Sequence, residues 1–144
     1  MDVLVLNGPN LNLLGTREPD VYGATTLSEV EAQCIAEGKS LGLSVECKQS
    51  NHEGELVDWI QGAGKSGAWV VINPGAYTHT SIALRDAISG SGANVIELHI
   101  SNIHAREEFR HQSMISAVAK GSIIGLGTEG YRLALLAVAQ KRNK

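Results

Sequence analysis

The chain has 144 residues, 43% of them apolar and 19% charged, with a formal net charge of −3. Such a length and balance describe one folded domain with its own core rather than a disordered chain, and they leave no general basic field to attract nucleic acid. The longest apolar runs, such as 68–72, fall far short of the ~18 residues that a membrane span requires. Met1-Asp2-Val3 leads directly into a strand-like run, so a cytoplasmic protein without a signal peptide is expected. Cys34 and Cys47 make neither a metal spacing nor a disulfide framework, and both fall at apolar-phase positions, as buried reduced thiols do. Aromatic residues are scarce at 4%, so the core must be built from Val, Ile, Leu and Ala.

Strand and helix signals alternate along the chain. The apolar run 3–6 ends at Asn7-Gly8-Pro9-Asn10, a strand followed by a breaker. Thr26-Leu27-Ser28-Glu29 is a capping box opening a helix with Leu27, Val30, Cys34, Ile35 and Leu41 on one face and Gly42 at its end. Residues 44–49 alternate as a second strand. Leu56, Val57 and Ile60 mark a second helix, closed by Gly64 or Gly67, and His52, Glu53 and Glu55 stand at its start as caps. A third strand, 68–72, stops at Asn73-Pro74-Gly75, and Ile82, Leu84 and Ile88 carry a third helix. Residues 95–100 form a fourth strand, 106–114 begin a helical stretch, 122–126 form a fifth strand, and 131–141 are a terminal helix with a basic end suited to its dipole. Trp59 and Trp69 read as core or interface residues, and Tyr131 as packing at a helix N-terminus.

Short apolar strands separated by helices imply βαβ units and a parallel sheet covered on both faces. The spacing fits an α/β fold of flavodoxin-like type, a five-stranded parallel sheet in the order 2-1-3-4-5 with helices on both faces, spanning 1–144 as one domain. Ligands of such sheets bind beyond the carboxyl ends of the strands. Strands one, three and four end there in Asn7–Asn10, in Asn73-Pro74-Gly75, and in Glu97, His99, Ser101 and Asn102. Residues 11–25 carry no helical pattern and exceed the usual βα connection, which suits a lid over that crevice, with Arg17 and Tyr22 on it.

Three common tenants of this fold fit poorly. The loop after strand one is apolar and proline-containing where a flavin-phosphate loop needs hydroxyl and amide donors. Gly64-Lys65-Ser66 sits at a helix end, without the upstream glycine of a phosphate loop. A phospho-receiver needs carboxylates where Asn10 and Asn73 stand. No compact metal first shell emerges from the histidines and carboxylates, so no metal or other cofactor is expected. A set rich in Asn, His and Arg, with one loop Tyr, suits a small polyhydroxylated anion and proton transfer.

Five blocks carry a resemblance. They are Asn7-Gly8-Pro9-Asn10-Leu11-Asn12-Leu13-Leu14-Gly15-Thr16-Arg17-Glu18-Pro19 with Tyr22-Gly23, Gln49-Ser50-Asn51-His52-Glu53-Gly54-Glu55-Leu56, Asn73-Pro74-Gly75-Ala76-Tyr77-Thr78-His79-Thr80-Ser81, Arg85-Asp86-Ala87, and Glu97-Leu98-His99-Ile100-Ser101-Asn102 running on to Arg106-Glu107 and Phe109-Arg110. In this order they resemble the type II 3-dehydroquinate dehydratases over nearly the whole chain.

The resemblance implies reversible anti elimination of water from 3-dehydroquinate to 3-dehydroshikimate through an enolate, without a Schiff base, in the shikimate pathway or in quinate breakdown. On it, Tyr22 is the base at carbon 2, and Arg17 stabilises its phenolate. Asn10, with Pro9 shaping the loop, holds a water at the enolate oxygen. His99 is the acid for the departing hydroxyl, oriented by Glu97. Asn73 and the amides of Ile100 and Ser101 grip the substrate carboxylate, beside Gly75. His79 and Arg110 contact ring hydroxyls, Arg106 adds positive potential, and Asp86 reaches in from a neighbouring subunit. The family assembles trimers into homododecamers (tetramers of trimers), so the implied partners are a small-molecule substrate and further copies of the chain, with no nucleic acid and no membrane. Residue spacing supports part of this independently. A tyrosine of ordinary pKa near 10 must come down by about two to be well ionised near pH 8, and a guanidinium five residues away can supply that. Glu97 lies two residues before His99, on the same strand face.

Overall fold

In the computed structural model, which describes residues 1–16, 20 and 24–142, five segments form parallel strands. They are β1 (Val3–Asn7), β2 (Val45–Gln49), β3 (Trp69–Asn73), β4 (Asn94–His99) and β5 (Gly121–Ile124), hydrogen-bonded in the order β2-β1-β3-β4-β5 as the spacing predicts. The central strands are buried on both faces, which is why β1 and β3 read as apolar runs up to their last residue, while β4 buries Glu97 and His99 among its apolar residues.

Among the described residues, four helices cover the sheet: α1 (Leu27–Ser40), α2 (Glu53–Ser66), α3 (Ile82–Ser91) and α4 (Glu129–Arg142). Alternate side chains divide between two cores. Val3, Val5, Val71 and Leu98 pack under α1 and α4 with Val30, Leu135 and Val138, whereas Leu4, Leu6 and Ile72 pack under α2 and α3 with Leu56, Ile60, Leu84 and Ile88. The capping box closes α1 as read: Thr26 Oγ1 accepts from the Glu29 amide at 3.2 Å and donates to Glu29 Oε1 at 3.0 Å. No helix among the described residues is long and apolar enough to cross a membrane.

Several expectations need correction. The stretch 106–114 is not a helix; between β4 and β5 the chain makes short 3₁₀ turns at Ile103–Ala105, Glu108–Arg110 and Ser116–Val118. Its groups bond outward instead, the Met114 amide to the Thr78 carbonyl at 2.7 Å and the Ser113 hydroxyl to Glu97. Phe109, which a helix would turn inward, is 67% exposed. β5 ends at Ile124 because Gly125 takes a φ of +87° and donates its amide to the His99 carbonyl at 3.0 Å. Ile35 is exposed, since the buried stripe of α1 runs through Val30 and Cys34. The His52 side chain caps nothing at α2; the Ser50 hydroxyl accepts from the His52 amide at 2.9 Å and donates to Glu55 at 2.5 Å. Cys34 is buried and free, whereas Cys47, on the edge strand, is only half-buried.

Candidate active site

The carboxyl ends of β1 and β3 lie side by side, with Asn7 and Asn73 in register. The loops beyond them interlock through two glycines. The Gly8 amide donates to the Asn73 carbonyl at 2.8 Å, and a side chain at Gly8 would meet the Pro74 carbonyl oxygen at 2.5 Å. Gly75 takes a φ of +60° against the Pro9 carbonyl. Asn10 is the one non-glycine with positive φ, at 69°, among the described residues. Asparagine tolerates this left-handed geometry better than most residues. Its amide donates to Asn51 Oδ1 at 3.0 Å, and Gln49 Nε2 donates to the Gly8 carbonyl and to Asn51 Oδ1, each at 3.2 Å. The block at 49–51 is thus a buttress for the loop after β1.

These loops enclose a cavity of about 120 Å³ at the carboxyl ends of β1, β3 and β4. Of the sequence-predicted residues, Pro9, Asn10, Asn73, Gly75, His79, His99, Ile100, Ser101, Arg106 and Arg110 line it, joined by Leu11, Ala76 and Ile103. Glu97 stands directly behind His99. Asp86 is exposed on α3 beside Gln61 and Lys65, away from this chain's own cavity. Arg17 and Tyr22 lie outside the described residues. A larger cleft of about 420 Å³ runs between α1 and α4, where Glu37 and an exposed Glu129–Arg132 ion pair supply the charges. The smaller cavity is the one with convergent polar groups where this topology places ligands.

Within it, His99 Nε2 meets Glu97 Oε2 at 2.6 Å, with both residues buried. Burial alone would raise the Glu97 carboxyl, but hydrogen bonds from His99, Ser116 and Thr78 outweigh it and hold the pKa at about 2. His79 Nδ1 donates to the Gln112 carbonyl at 2.8 Å, which fixes its tautomer. Burial lowers its pKa, the hydrogen bond to the Gln112 carbonyl offsets part of that, and the neighbouring His99 and Arg110 push it down further. The two imidazoles stack with centroids 6.4 Å apart. Arg110 pairs with the exposed Glu107 at 3.1 Å, and Arg106 Nε lies 3.8 Å from the same carboxylate oxygen. The lining carries guanidinium, imidazole and carboxamide donors, a set that binds an oxygen-rich anion and moves protons. No three His, Cys, Asp or Glu side chains converge as metal ligands among the described residues.

Sequence reasoning missed two features. Tyr131 is not mere packing: its hydroxyl donates to Asn7 Oδ1 at 2.5 Å and lies 3.5 Å from Asn73 Nδ2. Burial pushes this phenol up, so it stays a protonated donor. Asn7 Nδ2 has no partner among the described residues. Tyr131→Phe therefore leaves both polar ends of the Asn7 amide unpaired, and a loss of about 1–3 kcal/mol is expected. Denaturant titration measures it, and an unchanged midpoint would contradict it. The second omission is the set of hydroxyls on Glu97, from Thr78, Ser113 and Ser116. No signal marks either feature in sequence, because their partners are brought together only by folding.

The family model described as dehydroquinase class II matches residues 1–139. The chain is 62% identical over 141 residues to a 3-dehydroquinate dehydratase of Variovorax paradoxus, covering 94% of this chain and 97% of that one. It is 61% identical over 136 residues to 3-dehydroquinate dehydratase 1 of Agrobacterium fabrum, covering 94% of each. Among solved structures, the type II dehydroquinase from Propionibacterium acnes superposes with a TM-score of 0.94 at 50% identity, over 97% of both chains. With the sheet order, the cavity at the strand ends and these relatives in agreement, the chain belongs to the class II dehydroquinase family.

Proposed function

We propose that this cavity carries the reversible loss of water from 3-dehydroquinate to give 3-dehydroshikimate, the hydro-lyase step of the shikimate pathway. The observation that carries the reading is the buried Glu97–His99 pair, 2.6 Å apart, in a cavity lined by Arg106, Arg110, Asn73 and His79. The elimination takes the anti course through an enolate. Tyr22, as phenolate, removes a proton from carbon 2, and the electron pair passes into the neighbouring ketone. Asn10, in a loop shaped by Pro9 and Gly75, holds a water that stabilises the enolate oxygen. As the enolate collapses, its electron pair forms the double bond between carbons 1 and 2, the hydroxyl on carbon 1 departs, and His99 gives it the proton that makes it water. Glu97 orients the His99 ring through the hydrogen bond to Nε2. Asn73 and the amides of Ile100 and Ser101 hold the substrate carboxylate, His79 and Arg110 contact ring hydroxyls, and Arg106 and Arg17 favour the phenolate. The loss of water is redox-neutral overall, so the scheme needs no oxidant or reductant, and the enolate is stabilised by the residues named.

In this reading residues 1–144 form one catalytic domain with a lid at about 11–25, working in the cytoplasm. Its position on the outer surface of α3 suits Asp86 to a neighbour's site, and trimers built on that contact would assemble into a homododecamer. Light scattering giving the mass of a smaller particle would count against the assembly.

Purified protein dialysed against chelator should turn over 3-dehydroquinate, followed by the ultraviolet absorbance of the conjugated enone-carboxylate. Borohydride added with substrate should leave no lysine adduct by mass spectrometry. No rise in absorbance would overturn the reading, and a trapped adduct would overturn the enolate mechanism.

A further inference from the structure

Glu97 is fully buried, yet it carries a charge. Such a group costs stability unless its oxygens are filled with donors. Besides His99, Thr78 Oγ1 donates to Oε2 at 2.7 Å, Ser113 Oγ reaches Oε2 at 2.8 Å and Oε1 at 3.0 Å, and Ser116 Oγ donates to Oε1 at 2.5 Å. The Ser113 hydroxyl has no choice of role. Its oxygen accepts the amides of Ile115 and Ser116, each at 3.0 Å, so its single proton is left for the carboxylate. Two of these three hydroxyls come from the segment between β4 and β5 that forms turns instead of a helix. Thr78 is also gripped by that segment, through the Met114 amide on its carbonyl at 2.7 Å.

We propose that Thr78, Ser113 and Ser116 are positioning residues that act through Glu97, filling its lone pairs so that it serves His99 as a fixed anion and not as a proton acceptor. A carboxylate already holding three hydroxyl protons is a poor base toward imidazole. The proton on His99 Nε2 therefore stays on the ring, and the ring is held in one orientation. The inference rests on the roles given above to Glu97 and His99.

The test is a double-mutant cycle with kcat and KM read separately. Ser113→Ala would also release two backbone amides, so Thr78→Val and Ser116→Ala are the informative changes. Each should lower kcat about tenfold with KM within about twofold, since each removes one hydrogen bond to a charge. In a Glu97→Gln background the same substitutions should change kcat by less than about twofold, because the anion they serve is gone. Ser116→Thr should restore most of the activity lost in Ser116→Ala. If Glu97→Gln leaves kcat unchanged, the role of Glu97 fails and this inference falls with it. If Glu97→Gln is costly but Thr78→Val and Ser116→Ala are not, or if they cost the same in both backgrounds, the hydroxyls are structural only and the inference is overturned.

Discussion

Tyr22→Phe should lower kcat for 3-dehydroquinate by about 10²–10⁴, the usual cost of a lost general base. The substitution removes only a hydroxyl, so KM should change little while Asn73, Ile100 and Ser101 still hold the carboxylate. In the proposed mechanism Arg17→Ala acts on the same proton. Without the guanidinium the phenol ionises less readily, and the limb on which the rate rises with pH should move to higher pH. Because the two residues serve one step, the double mutant should be little worse than Tyr22→Phe alone. Arg17→Lys should recover only part of the loss, since a compact ammonium lacks the planar contacts of guanidinium. Near-native turnover in Tyr22→Phe would remove it as the base and leave His79 or a water as the next choice.

A loss of the same order, about 10²–10⁴, is expected for His99→Ala, but at the other half of the reaction. The two variants separate in a proton-exchange experiment. With His99 gone, Tyr22 still removes the carbon 2 proton, so the substrate should take up deuterium from heavy water faster than it dehydrates. In Tyr22→Phe, exchange and dehydration should fall together. Equal loss of exchange in both variants would mean that His99 is needed for proton removal, contrary to its assignment as the acid. The His99→Ala fold should survive, because Thr78, Ser113 and Ser116 still satisfy the Glu97 carboxylate.

The strands and their order were legible in the sequence for a simple physical reason. Parallel strands buried on both faces need largely apolar runs; 3–6 and 68–72 supply them without a break, and 95–100 does so apart from Glu97 and His99. Once the order is known, the crevice at the strand ends follows, and Asn10, Asn73 and His99 lie in it. Their roles came from the resemblance and not from periodicity, since a polar residue at a strand end has no signature of its own.

What tertiary structure decided is whatever depends on partners distant in sequence. The segment 106–114 has helix-compatible residues, but bonds to Thr78 and Glu97 outweigh the i to i−4 ladder that a helix would have made. Tyr131 looked like a packing residue until α4 set its hydroxyl on Asn7, 124 positions away. Glu97 could be read from sequence as a partner of His99, because the strand period of two places them on one face. Its three hydroxyl donors could not, because residues 78, 113 and 116 come together only when a non-helical loop folds back over β4.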